Sequence, residues 1–259
     1  MKKFVAMILA LTMVLALAAC GSSEPAETTA AATEAATEAA TEAATEAATE
    51  AATEAAEEVT VMTHEEFIAA AVDTEVTVET YVQAKQGWWE NKATFYTQAE
   101  DGAYFIYDMP CSEEEYAQLV PGTKIRVTGF KAEWSGEVEI VDAKFEILEG
   151  NFVAEPLDVT SMMADEAALL AHQNEKIAVN GLTVEKIAYK NDEPGDDIYL
   201  TLGLDGASYE FCVEVYLTGT ESDVYTTVGE LKEGDMVDVE GFLYWYEGPN
   251  AHITSITVK

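Results

Sequence analysis

The sequence predicts a mainly β protein with short helices, built as two tandem five-stranded barrels behind a low-complexity tether. Three observations predict it. A twelve-residue phrase occurs twice, as Leu119-Val-Pro-Gly122-Thr-Lys-Ile125-Arg-Val127-Thr-Gly129-Phe130 and as Leu231-Lys-Glu-Gly234-Asp-Met-Val237-Asp-Val239-Glu-Gly241-Phe242. Around each copy, apolar and polar residues alternate over short stretches, the period of half-buried strands. Ahead of both copies lies a stretch of Ala, Thr and Glu with no large side chain to pack a core. Each phrase is a turn ending in Gly, an alternating strand and a Gly-Phe pair. Read as a repeat, it divides the chain after the tether into residues 59–150 and 151–259.

The chain opens with a basic pair, Lys2 and Lys3, then an apolar run over residues 4–16, then Leu17-Ala18-Ala19-Cys20. The run is shorter than the roughly 20 apolar residues a membrane span needs, and small residues precede the cut, as in a secretory signal peptide over residues 1–19. Cys20 directly after Leu-Ala-Ala resembles the bacterial lipobox. That resemblance implies that Cys20 is lipidated on sulfur and becomes the mature N-terminus. Two acyl chains suffice for stable anchoring, at about 0.8 kcal/mol per buried CH₂. The expected location is therefore the outer face of the cytoplasmic membrane, facing the cell wall or exterior. An ordinary signal peptide cut nearby and an uncleaved helix are the competing readings. Against the second, Gly21-Ser22-Ser23 starts a polar stretch at once.

Residues 20–58 read as a disordered tether. Ala-Ala-Thr-Glu runs six times in succession over residues 31–54. Ala and Glu favour helix, but like charges four residues apart oppose it, and no face is apolar. Such a segment is a self-repelling spacer.

The folded part is strongly acidic. Asp and Glu outnumber Lys and Arg by 18 to 6 over residues 59–150 and by 21 to 5 over 151–259. A nucleic-acid binder neutralises phosphates with Lys and Arg, so no nucleic-acid partner is expected. Anionic head groups are repelled as well, which leaves the membrane to the lipid alone. Cys111 and Cys212 fall one to each repeat. Buried free thiols and an inter-domain disulfide both fit them.

In the first repeat, Thr63 and Glu66 have capping-box spacing ahead of a helical apolar pattern. Strands are expected over 75–84, 93–97 and 103–109, the last two joined across Glu100-Asp101-Gly102. A short helix over 112–119, with Ser112 as N-cap and Glu115 three residues on, precedes the phrase, which supplies the fourth strand. Residues 138–147 make the fifth. The second repeat follows the same plan, with a leading helix over 161–172 and strands over 176–187, 197–202 and 208–217. A helix over 221–231, the phrase and a last strand over 252–259 complete it. Three strands, a helix and two strands, with Gly in both fourth strands and in the second repeat's first, resemble the OB-fold, in which Gly permits sharp strand curvature. The resemblance covers residues 59–259. It implies a ligand face on strands 2 and 3, flanked by the loop after strand 1 and the loop between strands 4 and 5.

Both loops are aromatic in both repeats. Trp88, Trp89 and Trp134 occupy them in the first, and Tyr189, Tyr244, Trp245 and Tyr246 in the second. Flat rings beside carboxylates suit sugars and protein surfaces, and they equally suit closing the barrel ends or packing the two domains together. The carboxylates of residues 191–197 read as a solvated turn, because they lack the spacing of a calcium loop. Outward charges on the fourth strands differ, Lys124 and Arg126 against Asp238 and Glu240, which suits solvated faces or a docking of the two. His64, His172 and His252 are isolated, no metal-ligand spacing occurs, and no catalytic motif, phosphate loop or cofactor signature is present. The expectation is a non-enzymatic, lipid-anchored binding protein, needing no cofactor or metal, whose partner is an envelope glycan or protein. A structural or assembly module of the envelope is the alternative, and single-stranded nucleic-acid binding by analogy with other OB-folds is a further one, which the acidity disfavours. Oligomeric state is open.

Overall fold

The structure, a computed structural model, describes residues 60–259; the expected signal peptide (1–19), the lipidation site Cys20 and the whole expected tether (20–58) lie outside the described residues. Helix α1 (His64–Ala69) starts at Thr63, whose side chain accepts from Glu66 N while the Glu66 carboxylate accepts from Thr63 N. Strands β1 (Glu75–Lys85), β2 (Lys92–Ala99) and β3 (Gly102–Pro110) follow, then helix α2 (Glu113–Gln118), β4 (Thr123–Trp134) and β5 (Glu137–Asn151). A second capping box, Ser112 with Glu115, opens α2. The strands close in the order β1-β2-β3-β5-β4, with β1 paired to β4. Only β3 and β5 run parallel within that barrel, through Phe105–Glu139 and Ile106–Ile140. That order, with a helix between the third and fourth strands, is the OB-fold. Val78, Val82, Phe95, Ile106, Ile125, Val127 and Ile140 fill its interior.

The second barrel repeats the plan. A short strand β6 (Leu157–Asp158), a 3-10 turn at Thr160–Met162 and helix α3 (Glu166–Leu170) lead in. Then come β7 (Lys176–Tyr189), β8 (Ile198–Leu204), β9 (Ala207–Val213), helices α4 (Val215–Thr218) and α5 (Asp223–Glu230), β10 (Met236–Phe242) and β11 (Ala251–Val258). The order β7-β8-β9-β11-β10 closes through β10–β7, with β9 and β11 parallel, and β6 adds a parallel edge to β7.

The repeated phrase is the fourth strand of each barrel. Gly122 and Gly234 have φ of 95° and 91°, the left-handed region where a side chain is strained. Gly129 and Gly241 lie at register shifts of β4–β5 and β10–β11. A Cβ there would meet Val141 O at 2.7 Å and His252 O at 2.1 Å, so the barrel can close at these bends only with glycine.

Three segments depart from the sequence reading. The leading helix of the second repeat breaks in two, because the Asp165 side chain accepts from Ala168 N and starts a new helix there. The third strand stops at Val213 instead of reaching residue 217. Asp197 Oδ1 accepts from Val215 N, and α4 begins at once. Strand β6 had no alternating pattern to announce it. Cys111 and Cys212 are both buried free thiols. The charged fourth-strand faces do not dock on each other. Lys124 and Arg126 pair with Glu79 of the neighbouring strand, and Asp238 with Lys259.

The barrels belong to one compact unit and share a seam. Tyr96, Phe105 and Phe242 form a small buried cluster of their own between the two larger cores. Gln83 holds the chain between the barrels, accepting from Ala154 N at 2.8 Å and donating to Phe152 O at 3.1 Å.

Candidate functional site

Two tight turns aim the first barrel's tryptophans. Trp89 and Lys92 exchange backbone hydrogen bonds at 2.9 and 3.0 Å across Glu90 and Asn91, both with positive φ. Ser135 and Gly136, also both with positive φ, join Trp134 to Glu137. These are the conformations that let two residues reverse a twisted hairpin. Trp89 is left 68% exposed and Trp134 53%.

Both rings line a cleft of about 670 Å³ between the barrels. Its floor is the face of β2 and β3 that the OB-fold offers to ligands, with Phe105 and Tyr107 from β3. Its far wall is the second barrel, through Tyr216, Tyr244 and His252. Gly87 N donates to Tyr216 O at 2.7 Å, which fixes that wall to the first-barrel loop.

The polar groups of the cleft sort into satisfied and unsatisfied. Gln86 Nε2 donates to both oxygens of Glu214, at 3.0 and 2.8 Å. His252 Nδ1 lies 3.5 Å from Glu214 and shares a 2.7 Å hydrogen bond with the Tyr96 hydroxyl. The His252 ring stacks on Tyr244, centroids 4.3 Å apart. Burial holds the Tyr96 and Tyr244 hydroxyls above the ordinary phenol range. Lys92 and Asp108 pair at 2.6 Å. Glu139, the register partner of Phe105, is 9% exposed, and burial, with Asp108 nearby, pushes its carboxyl above the usual carboxylate range.

Beside the cleft the two strand 4–5 loops clasp each other. Glu247 N donates to Ser135 O at 2.8 Å, and the Trp134 and Tyr246 rings lie 5.2 Å apart. Glu137, fully buried, accepts from Trp245 N at 2.9 Å and Gln173 Nε2 at 3.3 Å. Burial pushes its carboxyl up to about 8. Among the described residues, its Oε1 and the buried Asn174 Oδ1 have no donor.

Of the seven aromatics expected at a site, the fold brings Trp89, Trp134 and Tyr244 into the cleft and sets Tyr246 at its edge against Trp134. Trp88 turns inward, donates from Nε1 to Cys111 O at 2.9 Å and packs on the first core. Trp245 lies in the second core, and Tyr189 packs half-buried against it. Sequence reasoning missed Tyr107, Tyr216, Glu139 and His252. Tyr107 and Glu139 stood on recognised strands, and the ligand face of strand 3 pointed to Tyr107. Tyr216 sat in an expected strand end and reaches the cleft only through packing of the barrels. Among the described residues no cluster of His, Cys, Asp and Glu could hold a metal ion.

No protein-family model matches the chain, and no curated protein matches it. Three solved structures illustrate what it is similar to. An asparaginyl-tRNA synthetase from Pyrococcus horikoshii is 18% identical over 32% of this chain, with a TM-score of 0.27, and this chain spans only 19% of that protein's length. A murine DNA binding protein bound with ds DNA is 13% identical over 70% of this chain and 94% of its own, with a TM-score of 0.35. A Replication Protein A heterotrimer bound to ssDNA is 13% identical over 71% of this chain and 48% of its own, at 0.31. The OB-fold of each barrel rests on its strand order and not on these likenesses.

Proposed function

We propose that this chain is an exported, non-enzymatic binding protein, held to the outer face of the cytoplasmic membrane by lipid on Cys20, whose inter-barrel cleft engages an extracellular ligand. The observation that carries the reading is the meeting of Trp89, Trp134 and Tyr244 with Tyr107 and Tyr216 around one concave space of about 670 Å³. Ligand pockets of roughly 300–1,000 Å³ lined by aromatic faces and a few convergent polar groups suit small ligands or short segments of polymers. An envelope glycan fits best. Flat rings stack on sugar faces, and Gln86, Glu139 and Glu214 stand where hydroxyls need partners. The repetitive acidic tether then sets the barrels at a distance from the bilayer, within reach of the wall.

Nucleic acid is a poor candidate. The chain carries a formal charge of −36, and Lys92, the cleft's lysine, is already paired with Asp108. A second reading, an assembly module of the envelope, draws on the seam itself, where Tyr96 and Phe242 stack and join the barrels. Binding of the full chain, in a non-ionic detergent, to a panel of cell-wall glycans tests the first reading. Capture should fall at least about tenfold in Trp89→Ala and Trp134→Ala, since interface aromatics carry about 1.4 kcal/mol or more. Unchanged capture by both variants would remove the cleft from glycan binding, and no capture by the unaltered protein would favour the assembly role.

A further inference from the structure

We infer that the cleft takes an organic ammonium group on its ligand, seated between Glu139 and the aromatic walls; this rests on the reading of the cleft as a ligand site. Its acids differ in one respect. Glu214 is held by Gln86 with His252 beside it, and Asp108 by Lys92. Glu139 also lines the cleft, is nine-tenths buried, and accepts no hydrogen bond or ion pair from any described residue. A carboxylate partly desolvated at the cleft wall, with no protein partner among the described residues, gains from a group that brings a positive charge to it.

The surroundings select the kind of cation. Trp89, Trp134, Tyr107, Tyr216 and Tyr244 line the same space. Aromatic walls attract an ammonium through the negative faces of the rings, most strongly where it is desolvated. Small metal ions need several oxygen ligands, and no described cluster offers them. An anionic ligand would meet Glu139 and Glu214 with no unpaired cation in the lining. The formal charge of −36 raises the local concentration of cations around the whole protein.

The ammonium could be quaternary, as in choline, or primary, as in glucosamine. The full chain in a non-ionic detergent is titrated with each, and with the uncharged counterparts 3,3-dimethylbutanol and N-acetylglucosamine, at fixed ionic strength. Tryptophan fluorescence and calorimetry report binding. Choline, glucosamine or both should bind about tenfold or more tighter than the uncharged counterpart. Glu139→Gln should abolish that preference while affinity for the uncharged member remains. Equal affinities within both pairs overturn the inference, as does a preference that survives Glu139→Gln. If that variant fails to fold, the comparison within each pair on the unaltered protein decides alone. The two readings fail differently. Equal, Trp134-dependent binding of charged and uncharged ligands sinks the ammonium and keeps the site. Binding of neither these ligands nor any wall glycan sinks both.

Discussion

Phe242 of the second barrel stacks on Tyr96 of the first, ring centroids 4.5 Å apart and planes 18° from parallel. Its counterpart in the first repeat, Phe130, is exposed. Two residues at the same place in the same phrase therefore do different work. Phe242→Ala should cost about 3 kcal/mol or more, as removal of a buried aromatic does, and should uncouple the unfolding of the barrels. Phe130→Ala should stay within about 0.5 kcal/mol. Urea unfolding followed by fluorescence separates the two, and equal losses would refute the assignment of Phe242 to the seam.

The buried carboxyl of Glu137 makes the seam sensitive to pH. Burial raises its pKa from 4.5 to about 8, so the folded state holds a proton that the unfolded chain has released. The sign follows from that difference. The contribution to stability is fully present below pH 4.5 and is lost as pH rises towards about 8, at about 1.4 kcal/mol per pH unit for one proton. Gln173, Asn174, Trp245 N and the neighbouring acid Glu139 face this group. Glu139 is raised as well, and His64 is lowered by burial and acts in the opposite sense. The difference between the unaltered protein and Glu137→Gln therefore isolates the effect. The variant should be relatively more stable at pH 8 than at pH 5, as read by thermal melts across that range.

Gly241→Ala should be among the most damaging small substitutions. The added methyl would meet His252 O at 2.1 Å, a backbone atom that cannot swing aside. A loss of about 2–3 kcal/mol is expected for such overpacking. Gly234→Ala, with φ of 91° but open space around it, should cost about 1 kcal/mol. Denaturant midpoints should preserve that order.

Lys131 ties α1 to the first barrel. Its ammonium is buried and donates to Phe67 O, Ile68 O and Ala70 O at 3.1, 2.7 and 2.8 Å, carbonyls of the last turn and C-cap of that helix. Lys131→Met keeps most of the volume and removes all three donors. A loss of about 2 kcal/mol should appear, with faster amide exchange confined to α1 and β1.

The sequence was most legible where the cause is local. Thr63 with Glu66 and Ser112 with Glu115 are capping boxes in the chain and in the fold, because three residues of spacing settle the geometry. Gly129 and Gly241 announced strand bends for the same reason. It was least legible where the cause lies in the other barrel. Trp88 and Trp89 are neighbours of one chemical type, yet one donates to Cys111 O inside the barrel and the other lines the cleft. Tyr216 looked like a strand end and became a wall of the cleft through Gly87. Glu139 read as one acid among many, and its isolation emerges only once Lys92 is seen to be taken by Asp108.

Since Tyr107 comes from one barrel and Tyr216 from the other, the cleft is a joint possession. Gentle heating that parts the barrels erases it before either sheet melts, so recognition should vanish at a temperature where circular dichroism still reports full β structure. Conversely, an occupant bridging both walls acts as a mechanical rivet. Pulled between its ends, the occupied chain should yield at a higher force than the empty one.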